Sequence, residues 1–181
     1  MKRVGISAVF LLLVASVRCA PIVFPQSLVL SLFPQSVMSV VLQMSEEQKT
    51  TFAELYAKQQ NGTHDELNDE QAMELFEELR QRDADLFEML WPVVMETKEK
   101  MSRMDEPARS FFEKYLAKAN SLSPMLEQDR DAAIRQLLKF AVAAWFKLPD
   151  DSKRHFRREF PQMAVVFEDT QLLKFAGVRV S

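Results

Sequence analysis

Three glycines in 181 residues, Gly5, Gly62 and Gly177, constrain this chain more than any other feature. Average usage of about 7% would supply roughly a dozen. Tight hairpins, bulges and phosphate-cradling loops need backbone at positive φ, which glycine supplies best. Sheet-rich folds are therefore disfavoured. Isolated glycines cannot spell G-x-G-x-x-G, a P-loop or a G-x-S-x-G elbow, so dinucleotide, nucleoside-triphosphate and α/β-hydrolase chemistry fall together. The expectation is an all-α chain, and its length fits a single domain able to bury a core without disulfides or metals. Apolar residues at 48% and charged residues at 27% exclude disorder throughout.

The first residues read as a secretory signal peptide: Lys2 and Arg3 precede an apolar run from Val4 to Val17, with small residues after it. Cleavage after Cys19 leaves Val17 at −3, and cleavage after Ser16 is the alternative. The run is short of the roughly 20 apolar residues that span a bilayer. The organisation expected is a signal peptide at 1–19, an extended lead-in at 20–31 and a helical domain at 32–181, in a secreted, extracellular protein. Taking Lys2, Arg3 and Arg18 from the 23 basic side chains leaves 20 against 26 acidic ones, a net charge of −6. The only cysteine, Cys19, leaves with the signal, so no disulfide staples the fold. Mild acidity argues against nucleic acid. The one basic stretch, Lys153 to Arg158, reads as the solvated face of a helix. Asn61-Gly62-Thr63 is an N-glycosylation sequon in a polar loop.

Punctuation marks a series of helices. Pro34 opens one carrying Val37, Val40, Val41 and Met44. Ser45-Glu46-Glu47-Gln48 is a capping box before Phe52, Leu55 and Tyr56, and Asn68-Asp69-Glu70-Gln71 repeats the signal before Ala72, Phe76 and Leu79. Asp83 starts a longer helix to about Arg103, with Leu86, Leu90, Val93, Thr97, Met101 and Met104 on one stripe. That stripe keeps its phase across Pro92, so one kinked helix is expected there instead of two. Asp105-Glu106-Pro107 precedes Phe111, Phe112, Tyr115, Leu116, Ala119 and Leu122, and Asp129 precedes Ile134, Leu137, Leu138, Ala141, Trp145 and Leu148. The segment 140–146 is apolar on nearly all sides, which places it centrally. Pro149, Pro161 and Asp169 open three short helices, the last stopping before Gly177. The count is eight or more.

Catalytic and metal constellations are missing from the sequence. His64 and His155 are the only histidines, with no ligand partner at metal spacing. His155 alone could activate a nucleophile, and its basic surroundings read as exposed. Asp83/Asp85 and Asp129/Asp131 sit at helix starts, where carboxylates favour the macrodipole. No enzyme activity, cofactor or metal is expected. The 14 phenylalanines, 10 methionines and 2 tryptophans fall mostly on helix faces, and two readings stay open for them. One is a dry core, with or without a protein partner. The other is an apolar cavity with cations at its mouth, since Lys114, Lys118, Arg135 and Lys139 lie one turn from the aromatic clusters at 111–115 and 140–146; such a site suits a long-chain acid or alcohol.

The ordered motifs add to this. Leu32-Phe33-Pro34, then Ser45 to Lys49, Asp83 to Glu88, Asp105-Glu106-Pro107-Ala108-Arg109-Ser110-Phe111-Phe112, Ala144 to Lys153 and Phe160-Pro161 together resemble the nematode fatty acid- and retinol-binding protein family, from about Leu32 to Val180. The resemblance implies a secreted, wedge-like helical fold whose internal apolar cavity takes up fatty acids and retinol. It implies no cofactor and no catalytic residues. Family members often carry a casein-kinase-type site where Ser45 stands, but Gln48 replaces the acid such a kinase needs. The cavity wall is expected from Phe52, Leu55, Phe76, Leu90, Phe111, Tyr115, Leu116, Ile134, Leu138, Ala141 and Trp145, with Arg135 or Lys139 at the ligand head group. The partners expected are fatty acids and retinol, with transient membrane contact on unloading and the protein a monomer. A secreted helical interaction module with a dry core is the competing function.

Overall fold

The computed structural model describes residues 31–59, 68–122, 125, 128–175 and 177. The expected signal peptide, all of the expected lead-in except Ser31, Asn61 and His64 lie outside the described residues. Among the described residues nine helices follow one another: α1 (Gln35–Gln43), α2 (Glu46–Gln59), α3 (Asp69–Arg82), α4 (Ala84–Arg103), α5 (Glu106–Ser121), α6 (Arg130–Lys147), α7 (Asp150–Glu159), α8 (Pro161–Glu168) and α9 (Thr170–Phe175). No strand occurs among the described residues.

Local chemistry sets the boundaries. Ser45 Oγ accepts from the Gln48 amide at 3.1 Å while Gln48 Oε1 accepts from the Ser45 amide at 3.0 Å. Asn68 and Gln71 make the same reciprocal pair at 3.0 and 2.9 Å. Two orphan donors are thereby satisfied at the start of α2 and again at α3. Asp83, Asp105, Asp129 and Asp169 each accept from the amide three residues on. Asp83 also ends α3, its own amide donating to the Leu79 carbonyl at 2.8 Å, so one residue joins α3 to α4. At the far end Gly177 takes φ 71°, left-handed backbone that glycine adopts without strain, and its amide donates to the Lys174 carbonyl at 2.9 Å.

The expected stripes are the buried ones. Leu86, Leu90, Val93, Thr97 and Met101 are buried along α4, which runs unbroken through an exposed Pro92. On α5 the buried set is Ala108, Phe111, Phe112, Tyr115, Leu116 and Ala119. On α7 it is Ser152, Phe156 and Glu159, a narrow seam under a charged outer face. Packing follows from these faces: α2 lies on α3, α3 on α4, α5 on α6 and α7, and α4 also meets α1 and α7. The last two helices fold back so that α8 and α9 both rest on α6.

One expectation needs correcting. The apolar segment of α6 is not enclosed on all sides, because Ala143 is exposed and Phe146 is 59% exposed, whereas Ala141, Val142 and Trp145 are buried. The helix has neighbours α5, α8 and α9 on its inner side, and its apolar outer residues meet solvent. The basic stretch of α7, by contrast, is solvated as expected, with Arg154, Arg157 and Arg158 exposed.

Candidate functional site

All eleven residues expected to form a cavity wall are in one hydrophobic cluster, none more than 5% exposed. Phe111 and Trp145 are in direct contact, with ring centroids 5.7 Å apart. The structure adds two rings to them that helical spacing on separate helices did not suggest. Phe156 lies 5.3 Å from Phe111 and 5.5 Å from Trp145, and Phe167 lies 5.6 Å from Phe111, Tyr115 and Trp145 alike. Most of these contacts are edge-on or tilted, the arrangement in which ring quadrupoles attract. A smaller aromatic group stands where α3 meets α4: Phe76 meets Trp91 edge-on at 5.4 Å, and Phe87 stacks on Trp91 at 5.6 Å.

The polar atoms of Tyr115 and Trp145 within this interior are tied down individually. The Tyr115 hydroxyl donates to the Leu32 carbonyl at 2.7 Å, holding the entry of the chain against α5. Trp145 Nε1 donates to Glu168 Oε1 at 3.2 Å, fixing the indole from α8. An interior ligand would therefore meet hydrocarbon and ring faces at these positions, with the hydroxyl and indole N–H already engaged.

Arg135 and Lys139, the head-group candidates, are exposed on α6. They sit one residue after the buried Ile134 and Leu138, so each stands at the border between core and solvent. A Cβ placed on Gly177 would lie 3.6 Å from Lys139 Cε, which puts the lysine against the end of α9.

A cleft of about 370 Å³ opens elsewhere, where the start of α1, the C-terminal half of α4 and the α7–α8 junction meet. Glu96, Lys100, Glu159, Phe160 and Met163 line it, and none of the expected wall residues does. Lys100 reaches Glu96 at 2.5 Å and lies 5.9 Å from the Phe160 ring centroid. Glu159, only 6% exposed, is gripped by Arg103 Nη2 at 2.9 Å and Arg158 Nε at 2.8 Å. Burial alone would raise its pKa, but hydrogen bonds from Arg103 and Arg158 outweigh that and hold it below the usual carboxylate range. No motif in the sequence singles out Glu96, Lys100 or Glu159. Their convergence depends on α4 meeting α7, which no local pattern records.

Two further polar features emerge. His155 is half-buried rather than exposed, with Nδ1 3.7 Å from Asp105 Oδ1, while the Ser152 hydroxyl donates to Asp105 Oδ2 at 2.6 Å. Serine, aspartate and histidine thus meet, but the serine proton faces the carboxylate instead of an imidazole nitrogen. That arrangement does not activate a nucleophile. Among the described residues no three His, Cys, Asp or Glu side chains gather as a metal site, and no helix is long and apolar enough to cross a membrane.

Short helices around a continuous aromatic and aliphatic interior, with isolated polar groups at its border, make this an all-α protein with one hydrophobic core among the described residues. The family model described as nematode fatty acid retinoid binding protein (Gp-FAR-1) matches residues 30–177. The chain belongs to that family. Among solved structures it is similar to the fatty acid and retinol binding protein Na-FAR-1 from Necator americanus, with a TM-score of 0.64 and 22% identity over 85% of this chain and 96% of the other. At that identity the likeness speaks for the fold. No curated protein matches the chain.

Proposed function

We propose that this protein is a secreted carrier that binds fatty acids and retinol in its apolar interior, for transport or sequestration, without enzymatic activity. The family match across 30–177 carries this reading. Its chemistry is supported by the wall set, Phe52 to Trp145, whose members share one continuous cluster on α2 to α6. Lipid binding requires that cluster to part, because its members are packed against one another. Short helices joined by one- or two-residue links, as at Asp83, Pro149 and Phe160, allow such parting by small relative shifts. A fatty-acid carboxylate would be held by Arg135 or Lys139 at the border of α6, leaving the tail inside. Secretion rests on the signal-like residues 1–19, and Asn61 of the Asn61-Gly62-Thr63 sequon is the proposed glycan acceptor.

Protein stripped of lipid is titrated with a fluorescent long-chain fatty acid, followed by competition with oleate and retinol. Saturable enhancement at about one ligand per chain, reversed by both competitors, is the expected result. A flat titration, together with native mass spectra of freshly purified protein free of lipid adducts, would leave the dry-core interaction module as the better reading.

A further inference from the structure

The solvent side of α6 combines apolar and cationic groups without acid. At 3.6 residues per turn, Arg135, Gln136, Lys139, Ala143, Phe146 and Lys147 fall within about 120° of one another around the helix axis and extend about 18 Å along it. All six are exposed, Phe146 at 59%. Asp131 is the last carboxylate before Asp150, so the stripe carries three cations and no acid.

Basic residues elsewhere are matched locally. On α7, Lys153, Arg154, Arg157 and Arg158 pair with Asp150, Asp151, Glu168 and Glu159. On α2 and α3, Lys58 and Arg82 pair with Glu78 and Glu54. Lys139 and Lys147 join no ion pair among the described residues, and Lys139 lies beside the end of α9 instead. The chain as a whole is asymmetric in the same sense: residues 32–103 hold 15 acidic and 7 basic side chains, and residues 104–181 hold 11 and 13. A net-acidic protein thus turns one cationic, aromatic-bearing face outward, and an anionic surface complements it.

Flexible cations around an open phenylalanine on one helix face suit the boundary of a bilayer. The ring enters the acyl region while the long basic side chains reach to phosphate groups. A protein partner is instead held mainly by anchors buried in pockets, and α6 contributes no residue to the cleft described above.

We propose that the outer face of α6, from Arg135 to Lys147, is a docking surface for an anionic phospholipid membrane, with Phe146 entering the acyl boundary and Arg135, Lys139 and Lys147 against lipid phosphates. This deepens the carrier reading and rests on it for the cargo. Arg135 and Lys139 are also its head-group residues, so the polar end of a bound fatty acid stands at the surface where lipid is exchanged.

Lipid-stripped protein, purified from the medium of cells expressing the full chain, is sedimented with vesicles of phosphatidylcholine alone and of phosphatidylcholine mixed with phosphatidylglycerol. Oleate affinity is measured separately. Wild type is compared with Phe146→Ser and Lys147→Glu, and with matched changes at exposed positions on other helices, Leu42→Ser on α1 and Lys58→Glu on α2. Expected is wild-type binding to the anionic vesicles that weakens with added salt, and binding roughly 10-fold weaker in Phe146→Ser and in Lys147→Glu. The two matched variants bind vesicles like wild type, and oleate affinity is unchanged in all four. Undiminished vesicle binding by Phe146→Ser and Lys147→Glu would overturn the assignment, as would equal binding to neutral vesicles. Concentration-dependent dimers abolished by Phe146→Ser would also overturn it, making a second copy the occupant. Anionic-vesicle binding with the expected losses, in a protein that takes up no oleate, would uphold the docking surface and overturn the carrier reading.

Discussion

A capping aspartate can do more than cap, and Asp105 shows the difference. One of its oxygens accepts from the Ala108 amide at 3.2 Å, and the other accepts from Ser152 on α7 at 2.6 Å. Ser152 is 2% exposed, so losing the carboxylate would strand its hydroxyl in the interior. Asp129 caps α6 in the same way through Ala132 but is itself exposed. Removing a cap costs about 0.5–2 kcal/mol, and an orphaned buried hydroxyl adds about 1–3 kcal/mol. In urea unfolding, Asp105→Ala is therefore expected to lose about 2–4 kcal/mol and Asp129→Ala about 1 kcal/mol, with Ser152→Ala recovering part of the loss when added to Asp105→Ala. Equal costs for the two aspartates would show that the Asp105–Ser152 bond contributes nothing. Caps were legible in the sequence because their partners lie three residues away. The Ser152 bond spans 47 positions, and the same distance hid the approach of His155 to Asp105. Thr97 was legible as a core-facing residue from its period, but that its Oγ1 has no hydrogen-bond partner among the described residues depends on neighbours that only packing defines.

At the scale of helices, phase was the dependable signal. The stripe on α4 holds its register across Pro92, and the helix is continuous there. Phase says less about what faces the other side of a helix. The apolar run on α6 reads as buried all round, yet Phe146 is open because the later helices α8 and α9 rest only on its inner side. Contacts between helix ends are also non-local, as at Glu159, where Arg103 from the end of α4 meets Arg158 of α7. Its pKa is lowered in the folded state, so its contribution is complete above the unfolded carboxylate range and is lost as pH falls through the folded value. Comparing wild type with Glu159→Gln by thermal unfolding, the wild-type advantage is expected to be full at pH 7 and to shrink progressively from about pH 4 downward. An advantage that grew on acidification would mean the carboxyl is favoured protonated and the ion pairs do not govern it.

For the whole molecule, the all-α class and a single domain are the expectation from scarce glycine and regular punctuation, and the described residues bear out the all-α class. The wall set was legible as helix faces because burial on an amphipathic helix follows its period. Missing from it were Phe156 and Phe167, whose rings complete the aromatic group from α7 and α8, and the cleft, whose lining is drawn from four separate helices. The central claim is that this closed interior parts to hold a lipid chain among those rings. Intermolecular NOEs between uniformly ¹³C-labelled oleate and methyl-labelled protein test it most directly. The account predicts contacts from the acyl chain to the methyls of Leu116, Ile134 and Leu138, with ring-current shifts from Phe111 and Trp145. Contacts confined to exposed residues such as Leu42 and Val165 would contradict it, because the lipid would then lie on the surface and the interior would stay dry.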